Sequence, residues 1–190
     1  MPMRWSDPFE ALSVGDSFRC RRTRTVGDTD VIVFCALTGD WHPQHCDPEW
    51  AAASPFGERI AHGMLVLSLA VGLVPLDPQR VLALRRVGDV VFKRPVRLGD
   101  AIAVSGQITG LRAVDDRSGL VDFVWQVRNQ HDQLLVRAGV QVLWRTGALE
   151  APPAVRTGGR IGAREAPPAG RIEGRVGAGA TPDRLASLPL

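Results

Sequence analysis

The chain has 190 residues, of which 45% are apolar and 23% charged. That is enough for one domain with a core and a tail, and the composition excludes a fibrous or wholly disordered protein. Its 23 basic and 20 acidic residues leave a net charge of +3, with arginines scattered and no basic block, so no nucleic-acid footprint is present.

Three cysteines, Cys20, Cys35 and Cys46, form an odd set without close pairing and without a signal peptide ahead of them. They point away from a disulfide framework and toward a reducing cytoplasm. The most apolar stretch, IAHGMLVLSLAVGLVPL at 60–76, contains His62 and Pro75. It is shorter than a bilayer requires, so a buried helix is expected and no membrane span.

In chain order, FRCRRTRTV at 18–26 predicts an opening strand. GDTDVIVFCALTGD then predicts a helix with Asp28 or Thr29 as N-cap and Gly39 as its stop. A short helix is expected at DPEWAAAS, capped by Asp47 with Pro48 in the first position. The next helix runs from Gly63 to about Val74 and is apolar on nearly every side, so other elements must wrap it.

Residues 81–145 alternate at period two. Ile102, Val104 and Ile108 share one face; Val121, Phe123, Trp125 and Val127 another; Leu134, Val136, Val140, Val142 and Trp144 a third. These segments predict strands with one buried face each, joined as antiparallel neighbours by turns at PVRLGD, DDRSG and NQHD. The order of elements gives an α+β fold, an antiparallel sheet curled around one long helix. A half-wrapped helix leaves an open edge and apolar surface, so a homodimer or higher oligomer is expected. After Trp144 the composition turns to Gly, Pro, Ala and Arg without aromatics, predicting a domain at 1–146 and a disordered tail at 147–190.

The stretch TGDWHPQHCD, 38–47, concentrates the chemistry. Gly39 ends a helix and Pro43 forces extended or turn geometry on His42, so Asp40 and His45 are expected on a loop. A carboxylate and a neutral imidazole sharing one water can remove a proton and return it elsewhere near neutral pH. The residues alone leave a second reading open, with Asp40 as a cap and the histidines as surface groups. At IAHGM, Gly63 opens an apolar helix whose first N–H groups lack partners and carry the positive end of the macrodipole, a site for an oxygen gaining negative charge or a simple tight turn. His42, His45, Cys46, Asp47 and His62 offer ligand atoms, but no CxxC or HxxxH spacing organises them, so no metal is expected. Cys46 beside His45 is a poor nucleophile pair, because adjacent residues in extended chain point apart.

The segment TGDWHPQHCDPEWAAASPFGERIAHGML resembles the hydratase motif of the MaoC-like, or R-specific enoyl-CoA hydratase, family of hotdog-fold proteins. FKRPVRLGDAI, 92–102, resembles the strand that follows in that family, and the similarity covers roughly residues 8–146. The resemblance implies a hotdog fold, usually dimeric, and reversible (R)-specific hydration of trans-2-enoyl thioesters carried on coenzyme A or acyl carrier protein. It implies Asp40 and His45 as the catalytic dyad and the Gly63 amide as holder of the thioester oxygen, with Ser68, His62 and His42 lining the site and no cofactor. His42 stands where the family typically has Asn. Alternatives are an acyl-thioester hydrolase and a non-catalytic acyl-binding subunit of a hotdog heterodimer.

Overall fold

A computed structural model of the chain describes residues 1–147. The expected disordered tail, 147–190, lies outside the described residues from 148 onward.

The opening strand of the sequence reading is broken into β1, Ser17–Arg19, and β2, Arg24–Thr25. Both pair with β4, Ala101–Ala113. Arg19 faces Ser105 and Arg24 faces Ile102, so the first segment takes five steps where β4 takes three. The surplus residues bend away from the ladder, as in a bulge.

Helix α1 spans Asp28–Thr38, and its N-cap is Gly27 instead of Asp28 or Thr29. The reason is Asp30, whose Oδ2 turns back to accept the Gly27 N–H at 2.9 Å while its Oδ1 pairs with Arg24 at 2.5 Å. Gly39 stops the helix in the left-handed region, φ 78°, and its N–H donates to the Cys35 carbonyl at 2.8 Å. Glycine reaches that conformation at no Cβ cost.

Two short helices follow: α2, Pro43–Cys46, and α3, Pro48–Ala53. Each has proline in its first turn and a capping side chain before it, His42 for α2 and Asp47 for α3. Helix α4, Gly63–Leu73, buries Leu65, Val66, Leu67, Ala70 and Leu73.

The strands β3, Val81–Phe92, β4, β5, Ser118–Arg128, and β6, Leu134–Arg145, complete the chain. The strand order is β1-β4-β5-β6-β3, and every pairing between these strands is antiparallel. Ile102, Val104 and Ile108 of β4 and Val121, Phe123, Trp125 and Val127 of β5 are all buried and join α4 in one core. Full burial of side chains this size contributes about 1.5–3 kcal/mol each. On β6 the expected alternation slips, since Leu135 and Val136 are both buried and Leu134 only half so. The cause is a bulge where Val127–Arg128 is matched by Val136–Leu134.

The expectation of one buried face per strand fails for β3, which has no buried residue. Among the described residues it ends the sheet and pairs only with β6, shifting register three times along that pairing. Leu82, Leu84, Val87, Val91 and Phe92 are therefore 38–48% exposed on it. FKRPVRLGDAI contributes only the end of β3 and the start of β4, and most of it is the connection between them. That connection is organised by buried Asp100, whose carboxylate accepts from the Arg97 N–H at 2.9 Å and Gln130 Nε2 at 3.0 Å.

Candidate active site

The connection between β3 and β4 also holds up one wall of a cavity. Ala61 donates its N–H to the Val96 carbonyl at 2.8 Å, tying the segment before α4 to residues 93–97. The cavity has a volume of about 470 Å3, within the range of small-molecule sites. Phe56, Ile60, Val66, Phe92 and Val136 make it largely apolar, and Gln44, His45, His62 and Gly63 bring polar groups to it. Lys93 and Arg94 are the cations on its wall. A separate depression of about 640 Å3 beneath the N-terminal arm has Arg19 as its one charged lining residue and gathers no titratable cluster.

His45 lies on α2 and not on a loop, because the His42 cap and Pro43 close a turn at once. It is 5% exposed. Its Nδ1 lies 2.7 Å from the Ile60 carbonyl oxygen, which only accepts, so Nδ1 carries the hydrogen. That leaves the Nε2 lone pair free to accept, and Gln44 Nε2 donates to it at 3.0 Å. Burial lowers the His45 pKa below its ordinary 6.5, against the opposing Ile60 hydrogen bond, with His62 lowering it further. The ring is thus held neutral, in the state a general base requires.

Asp40 remains on the loop, with its side chain about half exposed. Its Oδ1 accepts the His42 N–H at 3.3 Å, and its own N–H reaches Thr38 Oγ1 at 3.3 Å. It stands beside the cavity wall and is not part of its lining. One polar atom from each of Asp40, His45 and His62 nevertheless lies within 4.8 Å of the others, a separation one water spans. His62 Nε2, the ring nitrogen that faces Asp40, donates to the Asp40 carbonyl oxygen at 3.1 Å and so offers no lone pair to an ion in this arrangement.

Gly63 is the first residue of α4, so its N–H has no intrahelical acceptor, and His62 supplies no side-chain cap. A Cβ at Gly63 would come within 2.7 Å of the Phe92 ring. Any larger residue there would make the Phe92 ring shift.

His42 sits outside the cavity, exposed, with its Nδ1 accepting the Gln44 N–H at 3.2 Å and its ring edge-on to Trp50 at 5.3 Å. It caps α2 in the way an Asn side chain would. Ser68 is exposed, outside the cavity lining, with its Oγ donating back to the Met64 carbonyl at 2.9 Å. The structure therefore gathers His45, His62 and Gly63 around the cavity with Asp40 beside them, and leaves His42 and Ser68 outside. Sequence reasoning missed Gln44, the Ile60 carbonyl, Phe92 and Lys93. The first and last had signals, a polar residue between Pro43 and His45 and the sole lysine of the chain; the other two depend on folding.

Among the described residues no helix is long and apolar enough to cross a membrane. The chain is 34% identical over 103 residues to an (R)-specific enoyl-CoA hydratase of Aeromonas caviae, covering 54% of this chain and 75% of that protein. It is 32% identical over 128 residues to a mitochondrial 3-hydroxyacyl-[acyl-carrier-protein] dehydratase of Arabidopsis thaliana, covering 67% and 74%. A solved Mycobacterium tuberculosis protein with a double hotdog fold superposes with a TM-score of 0.67 at 24% identity, covering 89% of this chain and 54% of that one. The sheet around α4 is a hotdog fold. The MaoC like domain matches residues 10–126, and the chain belongs to that family.

Proposed function

We propose that the protein adds water reversibly across the double bond of a trans-2-enoyl thioester, giving an (R)-3-hydroxyacyl thioester. The observation that carries this reading is the convergence, at one apolar cavity, of a neutral His45 whose Nε2 lone pair takes a hydrogen bond from Gln44 and of the first amide of α4, with the Asp40 carboxylate beside them. Asp40 and His45 hold a water between them. As its oxygen bonds to C3, one O–H bond breaks and that proton passes to the dyad. The π electrons move toward the thioester oxygen, which accepts from the Gly63 N–H at the positive end of α4. The dyad then returns the proton to C2 on the same face, so H and OH add syn and no external acid or oxidant is consumed.

The apolar wall receives the acyl chain, and the exposed cations Lys93 and Arg94 meet the phosphates of the carrier, coenzyme A or acyl carrier protein. The open edge of β3, with its exposed Leu84, Val87 and Val91, pairs with a second copy of the chain. The three unpaired thiols suit a reducing cytoplasm.

The test is the fall in enoyl-thioester ultraviolet absorbance when purified protein meets short and medium trans-2-enoyl-CoA, with Asp40→Asn as control. Loss with wild type alone supports the reading. Full activity in Asp40→Asn overturns the dyad. Release of free thiol from a saturated acyl-CoA would instead identify a hydrolase, and activity that appears only with a second hotdog chain would identify a subunit of a heterodimer.

A further inference from the structure

His62 is 3% exposed and packs between Phe34, at 4.9 Å between ring centroids, and His45, whose ring lies nearly parallel to it at 3.7 Å. Its Nε2 faces the main-chain oxygen of Asp40 at 3.1 Å, with an Asp40 carboxylate oxygen at 4.0 Å. A carbonyl oxygen only accepts, so Nε2 carries the hydrogen. Nδ1 is then a buried nitrogen with no hydrogen-bond partner among the described residues. A phenylalanine would fill the same space between Phe34 and His45 without burying an orphaned nitrogen, which destabilises the fold. Packing therefore does not account for histidine at this position, and the remaining distinction is the Nε2–H donor, which has the Asp40 carbonyl oxygen at 3.1 Å and, farther off, the Cys35 Sγ at 3.6 Å.

What that donor does follows from how Asp40 is held. The other hydrogen bonds of Asp40 go to near neighbours in sequence, Thr38 at the end of α1 and His42, both at 3.3 Å. The bond from His62 joins that loop to a residue 22 positions away, at the start of α4 and against His45.

We propose that His62 is a positioning residue: its Nε2–H anchors the Asp40 main chain, so that the Asp40 carboxylate and His45 address one water. This rests on the hydration reading for its kinetic consequence, but not for its structural one. It touches no reacting atom in this role. A carboxylate displaced by an ångström or so loses roughly a hundredfold in rate.

The test compares His62→Phe, which keeps the stack and removes the donor, with His62→Gln, which keeps a donor at the reach of Nε2 and removes the ring. Amide hydrogen exchange at Asp40 and Trp41 should accelerate in His62→Phe and stay near wild type in His62→Gln. With an enoyl-CoA substrate, kcat should fall roughly a hundredfold in His62→Phe with KM little changed, whereas His62→Gln should keep most of its kcat. His62→Phe should melt at the wild-type temperature or above, separating this loss from unfolding. Unchanged exchange in His62→Phe overturns the proposal whatever the activity. Wild-type kcat in that variant overturns it too. An inactive wild type with the exchange difference intact would overturn the hydration reading and leave the anchoring supported. If His62→Phe does not fold, loss of kcat in a folded His62→Gln with normal exchange at Asp40 would overturn the anchoring role.

Discussion

His45 Nδ1 and the carbonyl oxygen of Ile60, fifteen residues apart in sequence, stand 2.7 Å apart in the structure. That contact selects one tautomer and aims the other nitrogen at the cavity. Removing either member of the pair it serves should stop chemistry without unfolding the chain. His45→Ala and Asp40→Asn are each expected to lower kcat by about 10²–10⁴-fold. The absorbance assay reads the loss, and far-ultraviolet circular dichroism checks that the fold survives.

Burial depresses the His45 pKa below 6.5. The unfolded chain then binds more protons than the folded one in the window between the depressed value and 6.5. Stability from this residue is complete above about pH 6.5 and declines as pH falls through the folded-state value. Denaturant midpoints measured from pH 8 to pH 5 should fall on the acid side, less steeply in His45→Gln. The acid limb of kcat/KM should lie below pH 6.5 for the same reason, since protonated His45 accepts no proton.

His42 starts α2 by accepting the Gln44 N–H on its Nδ1. His42→Ala should cost about 1 kcal/mol through the lost cap, and His42→Asn much less, because Asn caps equally well. Urea midpoints of the two variants decide it, and equal losses would show that the ring's contact with Trp50 matters instead.

Gly63 and Phe92 are coupled by the 2.7 Å approach that any Cβ would make to the ring. Gly63→Ala should lower kcat/KM at least about tenfold while the protein stays folded, because the half-exposed ring can turn aside but then shares space with the substrate. In a Phe92→Leu background the same change should cost measurably less. A double-mutant cycle on kcat/KM gives the coupling directly.

The open edge of β3 carries its own prediction. On the proposed pairing of two copies along β3, Leu84→Lys places a charge on the exposed strand and should shift sedimentation velocity from dimer to monomer. Leu37→Lys, on α1 and 79% exposed, should leave the assembly unchanged.

Much of the fold was legible because burial imposes period. The alternating apolar residues of β4 and β5 and the all-apolar face of α4 each require a single environment. The signal weakened where two chains of residues disagree in count, as at β1 and β2 against β4, and at the bulge that buries both Leu135 and Val136. At the site, the sequence singled out Asp40, His45 and Gly63, which the structure brings close to one another, but the groups that contact Asp40 and His45 there are a ring nitrogen of the next histidine, His62, and a main-chain oxygen, at Ile60. A carbonyl has no letter in the sequence. Ser68 was ambiguous for a related reason, since a serine that bonds its own helix looks the same in sequence as one that faces a ligand.

Helix α4 ends at Leu73, and the strand that completes its enclosure ends at Arg145. A ribosome adding about 5–20 residues per second takes roughly 4–14 s to supply what lies between them. For that interval the greasiest piece of the chain has no sheet to rest in. Expression should therefore respond to holdase chaperones and to temperature more strongly than the stability of the finished protein would suggest, and slow translation beyond Leu73 should increase inclusion bodies without altering any native contact.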